Sequence, residues 1–192
     1  MNKAILCVDC QIDFINGSLP VEGAENKMNK LAYHLHKHDG DYLLKMFTTD
    51  WHPFHHISFK ENGGQWPIHC VQNSEGAAIW FPIIKEAANS KGANIVLRKG
   101  DSQTKEEYSI FDNLESANKI RELMNKCQID ELSICGLAGD ICVAETIKGA
   151  IKEFGKDKIK VLAEYSPSLD GGEKLKQLIE DNGLNAEFEE VF

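Results

Sequence analysis

Near its start the chain reads Lys3-Ala4-Ile5-Leu6-Cys7-Val8-Asp9, an apolar run that ends in a carboxylate. A continuous apolar run of this length is typical of a parallel strand buried on both faces, because a half-exposed strand alternates apolar and polar residues. Such a strand needs parallel neighbours and helices on both faces of its sheet. The segment therefore predicts an α/β protein with Asp9 at the carboxyl end of a buried strand.

The rest of the chain alternates strand and helix patterns. Further strands are predicted at 42–48, 94–97, 131–135, 158–162 and 186–191. Helices are predicted at 24–37, 114–126, 141–154 and 173–181. This alternation predicts a three-layer αβα sandwich around a mostly parallel sheet of roughly six strands, with residues 1–192 in a single domain.

Composition excludes several classes of protein. The 192 residues include 21 basic and 30 acidic side chains, for a formal net charge of −9. This acidic balance argues against a general nucleic-acid binder or a protein of anionic membranes, which need a basic face. The apolar run at 4–8 is too short for a signal peptide, and no run approaches the roughly 20 residues of a membrane helix. We expect a cytoplasmic protein with reduced cysteines, for which a homo-oligomer is compatible with the sequence.

Four polar residues are predicted at the carboxyl ends of successive strands, where ligands bind in open parallel sheets. Asp9 follows the first strand, Asp50 the second and Lys99 the third. Cys142 follows the fourth main strand, after the turn Gly136-Leu137-Ala138-Gly139. Since the carboxyl ends of parallel strands share one edge of the sheet, two acids, a base and a thiol are expected to converge there.

Acyl transfer by a cysteine nucleophile needs this set of groups. A thiol at a helix N-terminus beside an ammonium gains thiolate character. A carboxylate beside both can take the thiol proton and pass it to a leaving group. The turn before Cys142 can present backbone N–H groups to a developing oxyanion. Each residue alone has an ordinary explanation as a cap, a surface charge or packing, so the prediction depends on their joint occurrence.

A second group of candidate residues lies in the stretch 49–78, which contains scattered Pro, Gly, His and Trp and no clear period. A stretch of this size without periodic structure in a compact domain is usually functional. Asp50, His52 and His69 would form a good ligand set for Zn²⁺, Fe²⁺ or Mn²⁺. Spacing leaves the choice of ligands open, because His55 and His56 lie close by.

The other cysteines have simpler interpretations. Cys7 and Cys10 have the spacing of a redox motif, but the pair is predicted inside a strand, where positions three apart point to opposite faces. Cys70, Cys127 and Cys135 are interpreted as packing residues, although Cys70 follows a candidate ligand directly.

A series of short motifs occurs in one order along almost the whole chain. They are Val8-Asp9-Cys10-Gln11-Ile12-Asp13-Phe14, Asp50-Trp51-His52-Pro53, His56-Ile57-Ser58-Phe59, Trp66-Pro67 with His69-Cys70-Val71, Lys99-Gly100, Tyr108-Ser109 with Phe111, and 135–143. Together they resemble the isochorismatase-like cysteine hydrolases. The loop at about 49–78 narrows the resemblance to the nicotinamidases of that family, because members with other substrates usually lack its metal site.

The resemblance implies a catalytic triad of Asp9, Lys99 and Cys142. It also implies a cis peptide between Leu137 and Ala138, with the N–H groups of Ala138 and Cys142 as the oxyanion hole. The implied ligands of one divalent metal ion, Zn²⁺ ahead of Fe²⁺ or Mn²⁺, are Asp50, His52, His69 and, as in some members, His56. The implied substrate-binding residues are Phe14, Trp66 and Tyr108.

The implied activity is hydrolysis of nicotinamide to nicotinate and ammonia through a cysteine thioester, in NAD salvage, without a nucleotide cofactor. The alternatives are an amidase of another small amide, a non-catalytic metal-binding protein on this fold, and a thiol redox protein using Cys7 and Cys10. The sequence departs from the family at Gly139, where a threonine is common, and at Cys10, which replaces a larger residue. At Gly139 a looser turn that lacks one hydroxyl contact is expected, and the change at Cys10 concerns loop shape and the rate on the substrate more than the type of reaction.

Overall fold

A single parallel sheet organises the described residues, 1–188, of the computed structural model. Its strands are β1 (Lys3–Val8), β2 (Leu44–Asp50), β3 (Ala93–Lys99), β4 (Glu131–Gly136), β5 (Ile159–Leu162) and β6 (Asn185–Glu187). Their order across the sheet is β3-β2-β1-β4-β5-β6, and every neighbouring pair is parallel. The predicted six-stranded parallel sheet is confirmed. The predicted strand 186–191 begins within β6, and its last residues lie outside the described range.

Helices cover both faces of the sheet. They are α1 (Ile12–Ile15), α2 (Ala24–Lys37), α3 (Phe81–Asn89), α4 (Leu114–Lys126), α5 (Ala144–Phe154) and α6 (Glu173–Asn182). Helices α2 and α3 pack in one hydrophobic core, and α4, α5 and α6 pack in the other. Alternate residues of β1 enter the two cores: Ile5 and Cys7 the first, Leu6 and Val8 the second. This alternation explains why the whole strand is apolar, and it confirms the three-layer sandwich.

The order of the strands determines where a ligand-binding crevice forms at the edge of the sheet. The chain runs from β1 outward to β2 and β3, and then returns to β4 on the other side of β1. The carboxyl ends of β1 and β4 flank this point of reversal, where open parallel sheets form a crevice that binds ligands. Both β2 and β3 end at the same edge, so the chain segments that follow four strands meet there.

The sequence prediction omitted the short helices α1 and α3. Helix α3 nevertheless has two sequence features of a helix. Pro82 occupies its first turn, where a missing N–H costs nothing, and Ile83 and Ala87 bury one face four residues apart. The proline in the first turn and the four-residue spacing of the two apolar residues could have predicted this helix. The helix is short and follows directly on the irregular stretch 49–78, which hid its start.

The interpretation of Cys10 as a strand residue was wrong. Strand β1 ends at Val8, and Asp9 takes a positive φ of 46°, a conformation that Asp tolerates better than most residues. The chain turns there, so Cys7 and Cys10 both reach the core under α2 instead of opposite faces. All six cysteines are free.

Among the described residues, no helix is long and apolar enough to cross a membrane.

Candidate active site

Side chains from three strand ends meet the thiol at the carboxyl edge of the sheet. Lys99, the last residue of β3, places its Nζ 2.8 Å from Asp9 Oδ2 and 3.5 Å from Cys142 Sγ. The same ammonium contacts Asp50 Oδ1, at the end of β2. Carboxylate oxygens of Asp9 and Asp50 and the Cys142 sulfur all lie within 4.8 Å of one another. The convergence expected of the strand ends is therefore present in the fold.

Burial decides how these groups share protons. Burial would lower the pKa of Lys99, but the carboxylates of Asp50 and Asp9 more than offset it and raise that pKa well above its usual value. Burial would raise the pKa of Asp50, yet Lys99 and His52 bring it below the usual range. At Asp9, burial prevails over the Lys99 ammonium and raises the pKa of the carboxyl. Asp9 is thus the better proton acceptor of the two acids.

We expected the helix terminus and Lys99 to favour the thiolate form of Cys142, but the structure favours the protonated thiol. Burial raises the pKa of Cys142 well above its usual value, and the Lys99 ammonium offsets only part of this effect. The thiol therefore needs a nearby base. Asp9 is in position, with its Oδ1 accepting a hydrogen bond from Thr48 Oγ1 at 2.6 Å.

The turn that carries Cys142 has an unusual backbone. The Leu137–Ala138 peptide is cis, as the resemblance implied. Residues Gly139–Val143 form a π-helical turn ahead of α5, so the thiol precedes the regular helix that was predicted to start at 141. The Ala138 carbonyl accepts hydrogen bonds from the N–H groups of Ile141 and Val143, both at 3.1 Å, which closes the turn around the nucleophile.

The three predicted metal ligands also lie together. One ligand atom from each of Asp50, His52 and His69 falls within 4.8 Å of the others. His52 Nδ1 donates to the Gly100 carbonyl at 2.9 Å, and His69 Nδ1 donates to the Pro67 carbonyl at 2.8 Å. These bonds fix the tautomer that leaves Nε2 of both rings for an ion, the usual arrangement around a protein-bound metal. His52 Nε2 is buried without a hydrogen-bond partner, 3.6 Å from Asp50 Oδ2, so the residues present fit a metal ion.

His56 is held differently from the other histidines. Its ring stacks on that of His52 with centroids 4.0 Å apart, but both of its nitrogens are engaged. Nε2 donates to the Lys105 carbonyl at 3.0 Å, while Nδ1 contacts Ser58 Oγ at 2.7 Å. His56 therefore supports the His52 ring in this structure, and its role as a metal ligand stays a prediction, because one of its nitrogens groups with His52 and Glu106 as possible ligands. Glu106, which the sequence reasoning missed, lies within 4.8 Å of both histidines.

Gln11 is a second residue that the sequence reasoning missed. It is fully buried, its Oε1 accepts from the Asp50 N–H at 2.8 Å, and its Nε2 donates to the Asp50 carbonyl at 2.8 Å and the Ala77 carbonyl at 2.9 Å. Nearby, Asp13 Oδ2 accepts from the Cys70 N–H at 2.7 Å, directly after His69. The segment after β1 thus holds both ends of the irregular stretch that carries the candidate ligands.

Gln11→Ala is expected to weaken the binding of a divalent metal ion, measured with Zn²⁺ as the probe, by about tenfold, because supports of this kind around metal ligands are typically worth 10–100-fold. Unfolding free energy should also fall by about 1–3 kcal/mol, because buried backbone groups of Asp50 lose their partners. Competition with a chromophoric chelator and urea unfolding measure the two effects. Gln177→Ala, which removes an exposed glutamine paired with Asp181, is the control. Equal Zn²⁺ affinity in both variants would contradict the role given to Gln11.

A small pocket opens onto the thiol. All three predicted substrate-binding residues line it, together with Ala138 and Cys142. The remaining lining residues are Leu19, Val21, Asp50, His69, Glu106, Ile141 and Leu169. The Tyr108 hydroxyl accepts from Trp66 Nε1 at 3.2 Å and from Gln65 Nε2 at 2.8 Å, which fixes the indole. The pocket is mainly apolar and aromatic, as suits a small ring.

A parallel α/β sheet whose carboxyl edge holds a buried thiol against a lysine–carboxylate pair is the architecture of a cysteine hydrolase. The isochorismatase domain profile matches residues 3–155, and the chain belongs to that family. The nicotinamidase of Saccharomyces cerevisiae is 31% identical over 95% of this chain and 98% of its own length. The resemblance stated from the motifs is confirmed.

Solved structures of the family superimpose over nearly the whole chain. The pyrazinamidase of Pyrococcus horikoshii in complex with zinc has a TM-score of 0.84 and 28% identity, covering 98% of this chain and all of that one. The yeast nicotinamidase bound to the inhibitor nicotinaldehyde has a TM-score of 0.84 and 26% identity, covering 97% of this chain and all of that one.

Proposed function

We propose that this protein hydrolyses nicotinamide to nicotinate and ammonia, in NAD salvage, as one isochorismatase-like domain. The observation that carries the proposal is the position of the Cys142 thiol, which lines an aromatic pocket beside both the Lys99 pair and the histidine cluster. The kinship with nicotinamidases and a pyrazinamidase supports this choice of substrate.

We propose that Asp50, His52 and His69 hold one divalent metal ion. Zn²⁺ is the first choice, since the related pyrazinamidase is a zinc complex, and Fe²⁺ or Mn²⁺ would suit the same donors. A bound ion would act as a Lewis acid that holds the ring nitrogen of the substrate. Phe14 and Trp66 would then pack against the ring and point its carboxamide toward the thiol.

The first half of the reaction is assigned to the triad. Asp9 takes the proton of Cys142, and the sulfur attacks the carboxamide carbon. The N–H groups of Ala138 and Cys142 stabilise the oxyanion, and Asp9 returns the proton to the departing nitrogen. The C–N bond breaks, ammonia leaves, and a nicotinoyl thioester remains on Cys142.

The second half uses the same groups in reverse. Asp9, again a carboxylate, takes a proton from a water molecule that attacks the thioester carbon. The C–S bond breaks, Asp9 passes its proton to the Cys142 sulfur, and the acid product loses its own proton to solvent and leaves as nicotinate. Throughout both halves Lys99 holds the Asp9 side chain in place and offsets the negative charge that forms on sulfur.

Ammonia release from nicotinamide, with nicotinate identified by chromatography, tests the proposal. Purified protein with Zn²⁺ should convert nicotinamide, and pyrazinamide as a close ring analogue, well ahead of carbamoyl or aliphatic amides. If nicotinamide is inert while another amide is converted, the protein is a different small-amide amidase. If no amide is converted, the result supports the alternative that the protein binds metal without catalysis.

Metal removal is expected to abolish turnover and lower the melting temperature. A ligand that binds only the folded state stabilises it by about 2.7 kcal/mol at 100 times its dissociation constant, and this stabilisation is lost with the ion. Dialysis against a chelator followed by calorimetry and metal analysis measures the change. Adding back Zn²⁺, Fe²⁺ or Mn²⁺ in turn identifies the ion that restores both properties. Full turnover by metal-free protein would refute the metal assignment.

A further inference from the structure

A short segment between β5 and α6 crosses the nucleophile turn. We call this segment, residues 166–169, the strap. Its Pro167 carbonyl accepts from the Gly139 N–H at 2.8 Å, and its Leu169 N–H donates to Asp140 Oδ1 at 2.9 Å. Both anchors belong to the turn that carries Cys142, so the strap is fixed relative to the thiol.

Gly139 is what allows so close an approach. A Cβ at this position would overlap the Ser166 carbonyl oxygen and Ser168 Oγ. Because the first of these is a backbone atom, no side-chain rotation could make room. The threonine that is common here in the family would therefore push the strap away from the nucleophile turn.

Leu169 is the strap side chain that reaches the substrate pocket. It lines the pocket with Ile141 and Cys142, yet it is 46% exposed and belongs to neither core. A leucine placed this way forms part of the rim and contributes little to the core. Its backbone is held by its own N–H bond to Asp140 and by the Gly139–Pro167 contact, so the side chain starts from a fixed position at the rim.

We propose that the strap limits the size of the substrate ring, with Leu169 as the residue that excludes substituted and fused rings. This inference rests on the proposed function, and it adds a specificity-determining residue for that reaction. Apolar pockets discriminate by about 10–200-fold for one methylene group. Truncating Leu169 should therefore change ring selectivity by at least about tenfold.

The test compares kcat/KM for nicotinamide and quinoline-3-carboxamide, which adds a fused ring. Leu169→Ala should raise the quinoline-to-nicotinamide ratio by at least about tenfold, while the melting temperature stays near that of the wild type. Leu169→Phe should lower the ratio. Leu114→Ala, at a leucine 72% exposed at the start of α4, should leave it unchanged.

Gly139→Ala gives an independent test through the strap itself. Displacing the strap should shift the ratio in the same direction as Leu169→Ala, together with a lower kcat. A ratio unchanged within twofold in Leu169→Ala, with nicotinamide still hydrolysed, would overturn the inference and leave the proposed function intact. Wild-type protein that fails to hydrolyse nicotinamide would overturn both.

Discussion

Replacing Cys142 with alanine is expected to lower kcat/KM for nicotinamide by roughly 10⁴-fold or more, the scale on which loss of a covalent nucleophile acts. No other described cysteine lines the pocket, so none can take over the attack on the amide. Zn²⁺ affinity should remain close to wild type, because the proposed ligands are left in place. Stopped assays of ammonia release and chelator competition measure the two quantities.

Cys127→Ala provides the matched control, since this partly buried cysteine lies at the end of α4, away from the pocket. It should retain full activity. Cys10→Ser tests the redox alternative, which requires that this variant be inactive while Cys142→Ala remains active. That pair of results would refute the triad.

Replacing Lys99 with methionine is expected to abolish turnover and to lower the unfolding free energy by about 3–5 kcal/mol. Lys99 is 0% exposed and is the cation between the buried carboxylates of Asp9 and Asp50. Its removal leaves Asp9 without its cation and leaves the nearby Asp50 carboxylate only the His52 ring to offset its charge, so we expect at least one of the two buried acids to take up a proton. Urea unfolding and kcat/KM for nicotinamide measure the two losses.

Lys45 supplies a matched control for burial. It is 1% exposed and pairs with Asp39 at 3.0 Å, at the other end of its strand from Asp50. Lys45→Met should also destabilise the protein but leave kcat/KM unchanged. If Lys99→Met lost stability and kept its turnover, Lys99 would be a structural residue with no part in the reaction.

Sequence patterns predicted the fold and the clustered polar residues for the same physical reason. Buried parallel strands are continuous apolar runs, and their carboxyl ends must share an edge. Asp9, Asp50 and Lys99 could therefore be grouped from strand positions alone. The roles assigned to them, and to the pocket and oxyanion residues, stay predictions until the variants are measured.

The residues that the sequence reasoning missed act through contacts with residues far away in the sequence. Gln11 satisfies the same rule as Asp9, a polar residue just after a strand, but its importance comes from backbone groups of Asp50, 39 residues away. Glu106 gave no signal, because its proximity to His52 follows from the path of the chain after β3. The engaged nitrogens of His56 depend likewise on Lys105, whose carbonyl no spacing argument could place.

The adjacency of Lys99 and Gly100 has a consequence for mutational analysis. Lys99 contacts the triad residues Asp9 and Cys142, and it also contacts Asp50 among the candidate metal ligands. The carbonyl of the next residue, Gly100, orients the ring of His52. Effects of substitutions on the two sides should therefore not add. A double-mutant cycle between a triad residue and a metal-ligand residue should show a coupling free energy of about 0.5–3 kcal/mol, whereas distant pairs should sum independently.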